Sequence, residues 1–466
     1  DLLDDRCWVN LEGVDFLRAY VNIPRFSSAE LIAQLDVLVA VEKYENIYGN
    51  VTDIDDILEV ALPYFYNATH QTIVNDYPNE GITRGDSWYT MELAIGLARL
   101  AKMGNETANS LLFTSTQTII NFAHNVDYEF PVFFEYGTNE PISGSEPDVA
   151  GGYAYLMLEC YDLKGEQTYL DEAEASIQHI VGKGFNLSYE LQMTAACATA
   201  CARLYQITGN NEYLTMSYMP LANIMRTCWL WECDYGYASD YLTFFGMSPM
   251  QEAGVITMKE QYETWEYLKE YLNISKEFIP DYFNNLIEGF INYTPAVMRY
   301  SLAPFLPPEA VWTETTIYDA VNIPSMYLPL EDLREGWEKS GQIGQEIYGA
   351  GGPLCFAAGF STIEESDTVS YPSKCQILKI YPNPFVKTTV IDYYLPGIGS
   401  TPTTLKIYNA LGQLIRTLVN EKQKSGKHSS SWDGKDSKNR VLPNGSYFLR
   451  LDTGGLRDIK KILLIR

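Results

Sequence analysis

Between Asp148 and Gly209 the apolar and polar positions fall into three consecutive segments, DVAGGYAYLMLECYDLKG, EQTYLDEAEASIQHIVGKG and FNLSYELQMTAACATACARLYQITG, each closed by a glycine. Apolar residues return at spacings of three and four, as in Tyr153, Leu156, Leu158 and Tyr161, which predicts helices rather than strands. The connections are so short that successive helices must be antiparallel neighbours. The first and third segments are dense in Ala, Gly, Met, Leu and Cys around their circumference, whereas the second carries Asp171, Glu172, Glu174 and Gln178 along one side. A helix apolar all round is buried, and one with a charged stripe faces water. The order is therefore inner, outer, inner.

The same alternation runs through the flanking chain. GDSWYTMELAIGLARLAKMG (85–104) reads as inner, ETANSLLFTSTQTIINFAH as outer, and NEYLTMSYMPLANIMRTCWLW as outer again. SSAELIAQLDVLVAVEKYENIYG (27–49) predicts a helix capped by serine, and a further helix is expected from Asp53, with Asp53, Asp55 and Asp56 in its first turn. Helix pairs recurring every 40 to 60 residues predict a closed ring or a solenoid. The glycines of IGQEIYGAGGPLCFAAGFST (343–362) suit close backbone approach where a ring would close.

The inner-helix ends ARLAKMGN, YDLKGEQTYL and ARLYQITGNNEYL resemble those of the α/α toroids found in glycoside hydrolases, unsaturated-glucuronyl hydrolases and polysaccharide lyases, over roughly residues 28 to 360. Similar hairpins occur in sugar epimerases and cyclases, so the resemblance implies the fold before it implies an activity.

After a polar linker, 363–376, the pattern changes to short alternating segments separated by turn signals: ILKIYPNPF, TTVIDYYLP, TTLKIYNALGQLIRTLV, SGKHSSSWDG, GSYFLRLDTGG and KKILLIR. These predict a small antiparallel β-sandwich over 377–466. YPNPF, LKIYNALGQLIRTL, WDGKD and LPNGSYFLRL resemble the immunoglobulin-like module shared by flagellar hook-capping proteins and the C-terminal sorting domains of Bacteroidetes-type secretion. That resemblance implies export past an outer membrane, with outer-membrane secretion machinery as a partner and an extracellular or cell-surface location. The expected organisation is thus an N-terminal arm (1–27), an all-α toroid (28–362), a linker (363–376) and an immunoglobulin-like sandwich (377–466). The chain opens at Asp1 without Met, as a trimmed or processed chain would.

Charge divides along the same line. Residues 376–466 hold 15 Lys+Arg against 6 Asp+Glu, a net of +9, and residues 1–375 hold 18 against 54, a net of −36. The acidic part would repel phosphates, which disfavours nucleic acid as a partner, and it favours neutral glycans over polyanionic ones unless local cations compensate. No apolar run reaches membrane-spanning length. All eight cysteines precede the basic part; Cys228 and Cys233 are placed to close a small loop, while Cys197 and Cys201 read as core residues one helical turn apart. Cysteine and histidine spacing offers no zinc site, the acids after Asp53 lack the glycine and distal Glu of a calcium loop, and no cofactor motif is present. Phosphate-cradling loops, GxSxG and HExxH are absent.

In a toroid the inner-helix N-termini and the loops before them line one mouth. Asp86 (RGDSW) and Asp148 (EPDVAGGY) sit there, and the resemblance implies an acid/base pair acting on a glycosidic bond. Both positions also suit plain helix capping. Glu129, Glu135, Glu146 and Asp240 rank behind them. Trp88, Tyr153, Tyr189, Trp231 and Tyr237 are candidate stacking platforms for sugar rings, and Arg84 is a candidate partner for a uronic carboxylate or simply for Asp86. Long loops at 124–147, 229–254 and 293–330 are expected to carry function. Asn-x-Ser/Thr sequons stand at Asn50, Asn67, Asn105, Asn186, Asn273, Asn292 and Asn444, a hint of a glycoprotein. Two expectations follow: a secreted polysaccharide-cleaving enzyme, of hydrolase or lyase type, or a non-catalytic surface protein whose acidic toroid and basic module self-assemble into a homo-oligomeric layer or filament.

Overall fold

A computed structural model describes residues 1–22, 28–50, 52–232, 243–250, 253–306, 308–312, 321–333, 340–361, 376–409, 412–453 and 456–465. The chain divides into two units, Asp1–Thr362 and Ile363–Arg466.

In the first unit the predicted alternation is the observed one. The helices are α1 (Leu31–Tyr48), α2 (Ile54–Ala61), α3 (Ser87–Lys102), α4 (Glu106–Asn125), α5 (Val149–Lys164), α6 (Gln167–Ile177), α7 (Leu191–Thr208), α8 (Asn211–Met216), α9 (Tyr218–Arg226), α10 (Met258–Ser275), α11 (Asp281–Met298) and α12 (Gly352–Ser361). Every residue of α5 from Val149 to Cys160 and of α7 from Leu191 to Leu204 is buried, whereas α6 buries only Leu170, Ala173, Ser176 and Ile177. Helices apolar on all sides have to be surrounded, and here they surround one another. α1 packs on α3, α3 on α5, α5 on α7, α7 on α10, α10 on α12, and α12 returns to α1, closing a ring of six. α2, α4, α6, the α8–α9 pair and α11 lie outside against α1, α3, α5, α7 and α10 respectively.

Small residues let the inner helices approach. A Cβ on Gly151 of α5 would overlap the Cβ, Sγ and Cα of Cys197 on α7. At the closing seam a Cβ on Gly351, just before α12, would meet Ala40 Cβ and Asp36 O of α1, each at 2.8 Å. The glycines of 343–362 thus do at the seam what the sequence expectation assigned them. Cys197 and Cys201 are fully buried free thiols; Cys7, Cys160, Cys228 and Cys355 are also free, and Cys233 lies outside the described residues.

Three local expectations need correction. The serine cap of α1 is not used: Ala29–Glu30 pairs with Asp76–Tyr77, so Glu30 becomes the residue before the helix. The 124–147 segment is not structureless, because Phe133–Glu135 pairs with both Arg84–Asp86 and Pro141–Ser143. Of the sequons, Asn67 and Asn105 are buried, with their Nδ2 groups donating to Asn79 O (3.1 Å) and Glu42 Oε1 (3.2 Å), so neither side chain stands open to a glycan in the folded protein. The N-terminal arm forms a hairpin, Trp8–Leu11 with Val14–Leu17, and Gln34 of α1 clasps it by accepting from Leu17 N (2.8 Å) and donating to Leu17 O (2.9 Å).

Among the described residues the second unit has five antiparallel strands, Gln376–Tyr381, Thr389–Asn409, Leu414–Trp432, Gly445–Thr453 and Leu456–Leu464. Register shifts near Leu395 and Leu405 bend the two long strands, and one core of Ile377, Ile391, Tyr393, Ile407, Trp432 and Leu449 fills the fold. The WDGKD motif makes a turn: Trp432 Nε1 donates to Lys435 O (2.9 Å), and Asp433 accepts from Arg416 Nη1 (2.9 Å) and Lys435 N (3.1 Å). In LPNGSY, Tyr447 OH donates to Pro443 O at 2.9 Å.

Candidate functional site: the mouth of the inner ring

The residue before each of α1, α3, α5 and α7 is a carboxylate: Glu30, Asp86, Asp148 and Glu190. Only Asp86 uses its side chain on its own helix, accepting from Tyr89 N at 3.4 Å. The others are delivered to the ring's N-terminal end without local capping bonds.

Asp86 arrives through the Arg84–Asp86 strand. Gly85 is required there, since a Cβ would overlap the Phe134 ring and meet Tyr136 at 2.9 Å. Asp86 is partly exposed and borders a cavity of about 250 Å³ shared with Glu30, Asp76, Arg84, Tyr89 and Tyr136. Burial pushes its carboxyl up to about 6, against the opposing pull of the Tyr89 and Trp88 N–H groups and of Arg84. Glu30, across the cavity, is pushed up to about 7 by burial and by Asp76.

Glu146, ranked low from sequence, lies at the centre of the group. It is fully buried; Oε2 accepts from Trp88 N (3.1 Å) and Oε1 has no protein partner. Burial, then Asp86, Asp148 and Glu190, raise it to about 10, so it carries a proton at neutral pH. Glu190 is 7% exposed and is driven well above the usual carboxylate range by burial, Glu260 and Asp148, with Lys259 opposing. Lys259 itself is buried, bonded to both oxygens of Glu263 at 2.8 Å and 3.7 Å from Asp36.

Asp148, expected to form a pair with Asp86, lies beneath the surface of the mouth. It is 0% exposed, and its Oδ2 accepts from Tyr189 N (2.7 Å), Glu190 N (3.0 Å) and Thr194 Oγ1 (2.7 Å). It ties the start of α5 to the start of α7, and burial raises it to about 6.

The aromatic candidates separate in the same way. Trp88 stacks on Tyr89 (centroids 4.0 Å apart) with Lys259 Nζ 5.6 Å from its ring. Tyr189 is half-buried and feels Glu146, Glu190, Asp86 and Asp148, so it stands at the mouth. Tyr153 does not: it is 0% exposed, and its hydroxyl donates to Glu172 of the outer helix α6 at 2.7 Å. Arg84 lies with its guanidinium 4.5 Å from the Phe133 ring centroid. Trp231 sits in the Cys228–Glu232 strand, paired with Thr243–Met247; its side chain, Tyr237 and Asp240 lie outside the described residues. Glu129 and Glu135 are exposed, and Glu129 pairs with Lys183 at 2.5 Å. Among the described residues no cluster of three or more His, Cys, Asp or Glu is arranged to hold a metal ion, and no helix is long and apolar enough to cross a membrane.

Sequence reasoning missed Glu30, Glu190, Glu260 and Lys259. The available signal was positional: Glu30 and Glu190 directly precede inner helices, as Asp86 does.

Residues 387–454 match the FlgD Ig-like domain family. Among solved structures the chain is similar to a family 76 glycoside hydrolase from a bovine Bacteroides thetaiotaomicron strain (13% identity, TM-score 0.55, covering 77% of this chain and 75% of that one). It is also similar to a D-mannose isomerase (10% identity, TM-score 0.50, covering 76% and 93%). At such identities the likeness is one of fold, an α/α toroid. No curated relative matches the sequence.

Proposed function

We propose that residues 1–362 form a carbohydrate-active enzyme of glycoside-hydrolase type that works at the N-terminal mouth of the inner ring. The observation that carries this reading is the gathering of carboxyl groups with unequal protonation, Glu146 and Glu190, around Asp86, which itself borders the cavity. Glycoside hydrolysis needs one carboxyl that holds a proton for the leaving oxygen and one that is ionised. Glu190, raised by burial and by Glu260, is the acid. Asp86, raised only to about 6 and open to the cavity, is ionised at neutral pH and acts as base or nucleophile. Asp148 positions Glu190 through its bonds to the Tyr189 and Glu190 N–H groups, and Trp88, Tyr89 and Tyr189 offer faces on which a sugar ring can stack. The similarity in fold to a family 76 glycoside hydrolase supports the same substrate class.

The test is release of reducing ends from a panel of neutral oligosaccharides by the full chain and by its Asp86→Asn and Glu190→Gln variants. Loss of a positioned acid or base removes roughly 10²- to 10⁴-fold of rate. Unchanged release in both variants would sink the reading.

A second proposal concerns location. The match of 387–454 to the FlgD Ig-like domain supports a chain exported to the cell surface, with this module as its address or assembly piece. Surface labelling of cells expressing the full chain or a chain ending at residue 362 tests it: equal surface display of both would remove the module from the pathway. The opposite charges of the two parts of the sequence, −36 and +9, favour salt-sensitive self-association as a further property of such a surface protein.

A further inference from the structure

The other end of the ring holds a larger cavity, about 590 Å³, between the C-terminal halves of α1, α3, α5, α10 and α12. Its lining is chemically unlike the rest of the unit. Residues 1–375 contain only 18 Lys+Arg against 54 Asp+Glu, yet Lys43, Arg99, Lys102 and Lys269 all line this one space.

Part of this is explained by helix ends, whose unpaired carbonyls favour cations. Helix ends do not explain how the charges are shared. Lys43 Nζ and Arg99 Nη1 both lean on one carboxylate, Glu266, at 2.6 and 3.5 Å. Glu266 is half-buried, yet its carboxyl lies below the ordinary range, because Lys43 and Arg99 outweigh the cost of desolvation. The lining as a whole sets Lys43, Arg99, Lys102 and Lys269 against Glu159, Glu266 and Glu270, so the open space faces one positive charge in excess. Farther round, Glu159 is matched by Lys102 (2.7 Å) and Arg203, and Glu270 accepts from Tyr155 OH at 2.6 Å. Glu159 is buried and already matched, so that side presents the half-buried Glu270 as its carboxylate acceptor, and Met103, Ile47 and Ala358 supply apolar wall.

We propose that this cavity binds a sugar acid: a small polyol with a single carboxylate. Its carboxylate meets the Lys43–Arg99 pair, where charge-assisted bonds replace water, and a hydroxyl donates to Glu270. A neutral sugar would leave the excess positive charge unanswered. A polyanion would be repelled by the net charge of −36 on residues 1–375. The site is separate from the mouth, so it takes a product or effector independently of the cleavage proposed there.

Calorimetric titration of the full chain with D-glucuronate and with D-glucose tests this. Glucuronate should bind saturably and glucose should not. Lys43→Gln should weaken glucuronate roughly tenfold or more, and added salt should weaken it in the wild type. Asp86→Asn, at the other end of the ring, should leave glucuronate binding intact while removing cleavage. Equal binding of the two sugars, or a Lys43→Gln variant that binds glucuronate as the wild type does, would overturn the assignment. Should Lys43→Gln fail to fold, the salt dependence decides alone, since binding that ignores ionic strength cannot rest on that pair.

Discussion

Replacing Asp148 by Asn separates a tie between helices from a reacting group. In the folded protein the Asp148 carboxyl titrates near 6, raised by burial from an ordinary 3.8. A carboxyl raised on folding takes up its proton more readily when folded, so it adds stability at low pH and loses that contribution as pH climbs toward 6. Between pH 8 and pH 5, a shift from 3.8 to about 6 amounts to about 1.4 kcal/mol gained by the wild type on acidification. The amide of the Asp148→Asn variant cannot titrate and still offers an oxygen to the Tyr189 and Glu190 N–H groups and the Thr194 hydroxyl. Its NH₂ group, however, would point where Oδ1 now lacks a partner, at a pH-independent cost of about 1–3 kcal/mol. The diagnostic quantity is therefore the change in the gap between variant and wild type with pH. Denaturant unfolding of both proteins at pH 5, 6, 7 and 8, followed by helical circular dichroism, which reports the toroid, reads it directly. The wild type should gain about 1.4 kcal/mol on the variant from pH 8 to pH 5. A gap that stays flat, or moves the other way, refutes the buried tie.

Other consequences can be checked independently. Gly151→Ala drives a methyl into Cys197 and should cost about 1–3 kcal/mol despite the better helix propensity of Ala, whereas Gly289→Ala in α11 meets nothing within 4 Å and should stabilise by about 0.5–1 kcal/mol; thermal melts of the two should shift in opposite directions. If Asp86 must be ionised to act, cleavage should fall on acidification with a midpoint near 6, and a pH–rate profile with no acidic limb there would remove Asp86 from that role. Sedimentation velocity in low and high salt should show association only in low salt, and a single unchanging species would exclude assembly driven by the −36 and +9 halves.

The ring was legible in the sequence because burial on every side leaves a mark that no local effect imitates: α5 and α7 carry charged residues only toward their C-terminal ends, and α6 shows a charged stripe. The site was legible only in part. Asp86 and Asp148 look alike in sequence, each an Asp just before an inner helix. Their difference lies in partners 41 to 46 residues away, Tyr189, Glu190 and Thr194, which no local pattern carries. Glu146 looked like one more loop acid in an acidic chain. It became central only when the pairing of Arg84–Asp86 with Phe133–Glu135 drew its loop over the start of α3. The expected serine cap before α1 lost to a strand pairing with Asp76–Tyr77 for the same reason.

The seam between α12 and α1 also bears on how the chain acquires its shape. Residues 352–361 complete a wall begun by residues 31–48, so five inner helices must wait for a sixth that is made some three hundred residues after the first. Until then the apolar flanks of α1 and α10 face water, a state prone to sticking to other chains. Contacts between segments so distant in sequence form slowly, since the intervening loop must be closed before they stabilise anything. A nascent chain stalled before Gly352 would be a horseshoe in search of a partner, and the step that commits the molecule to solubility comes almost at the end of its first unit.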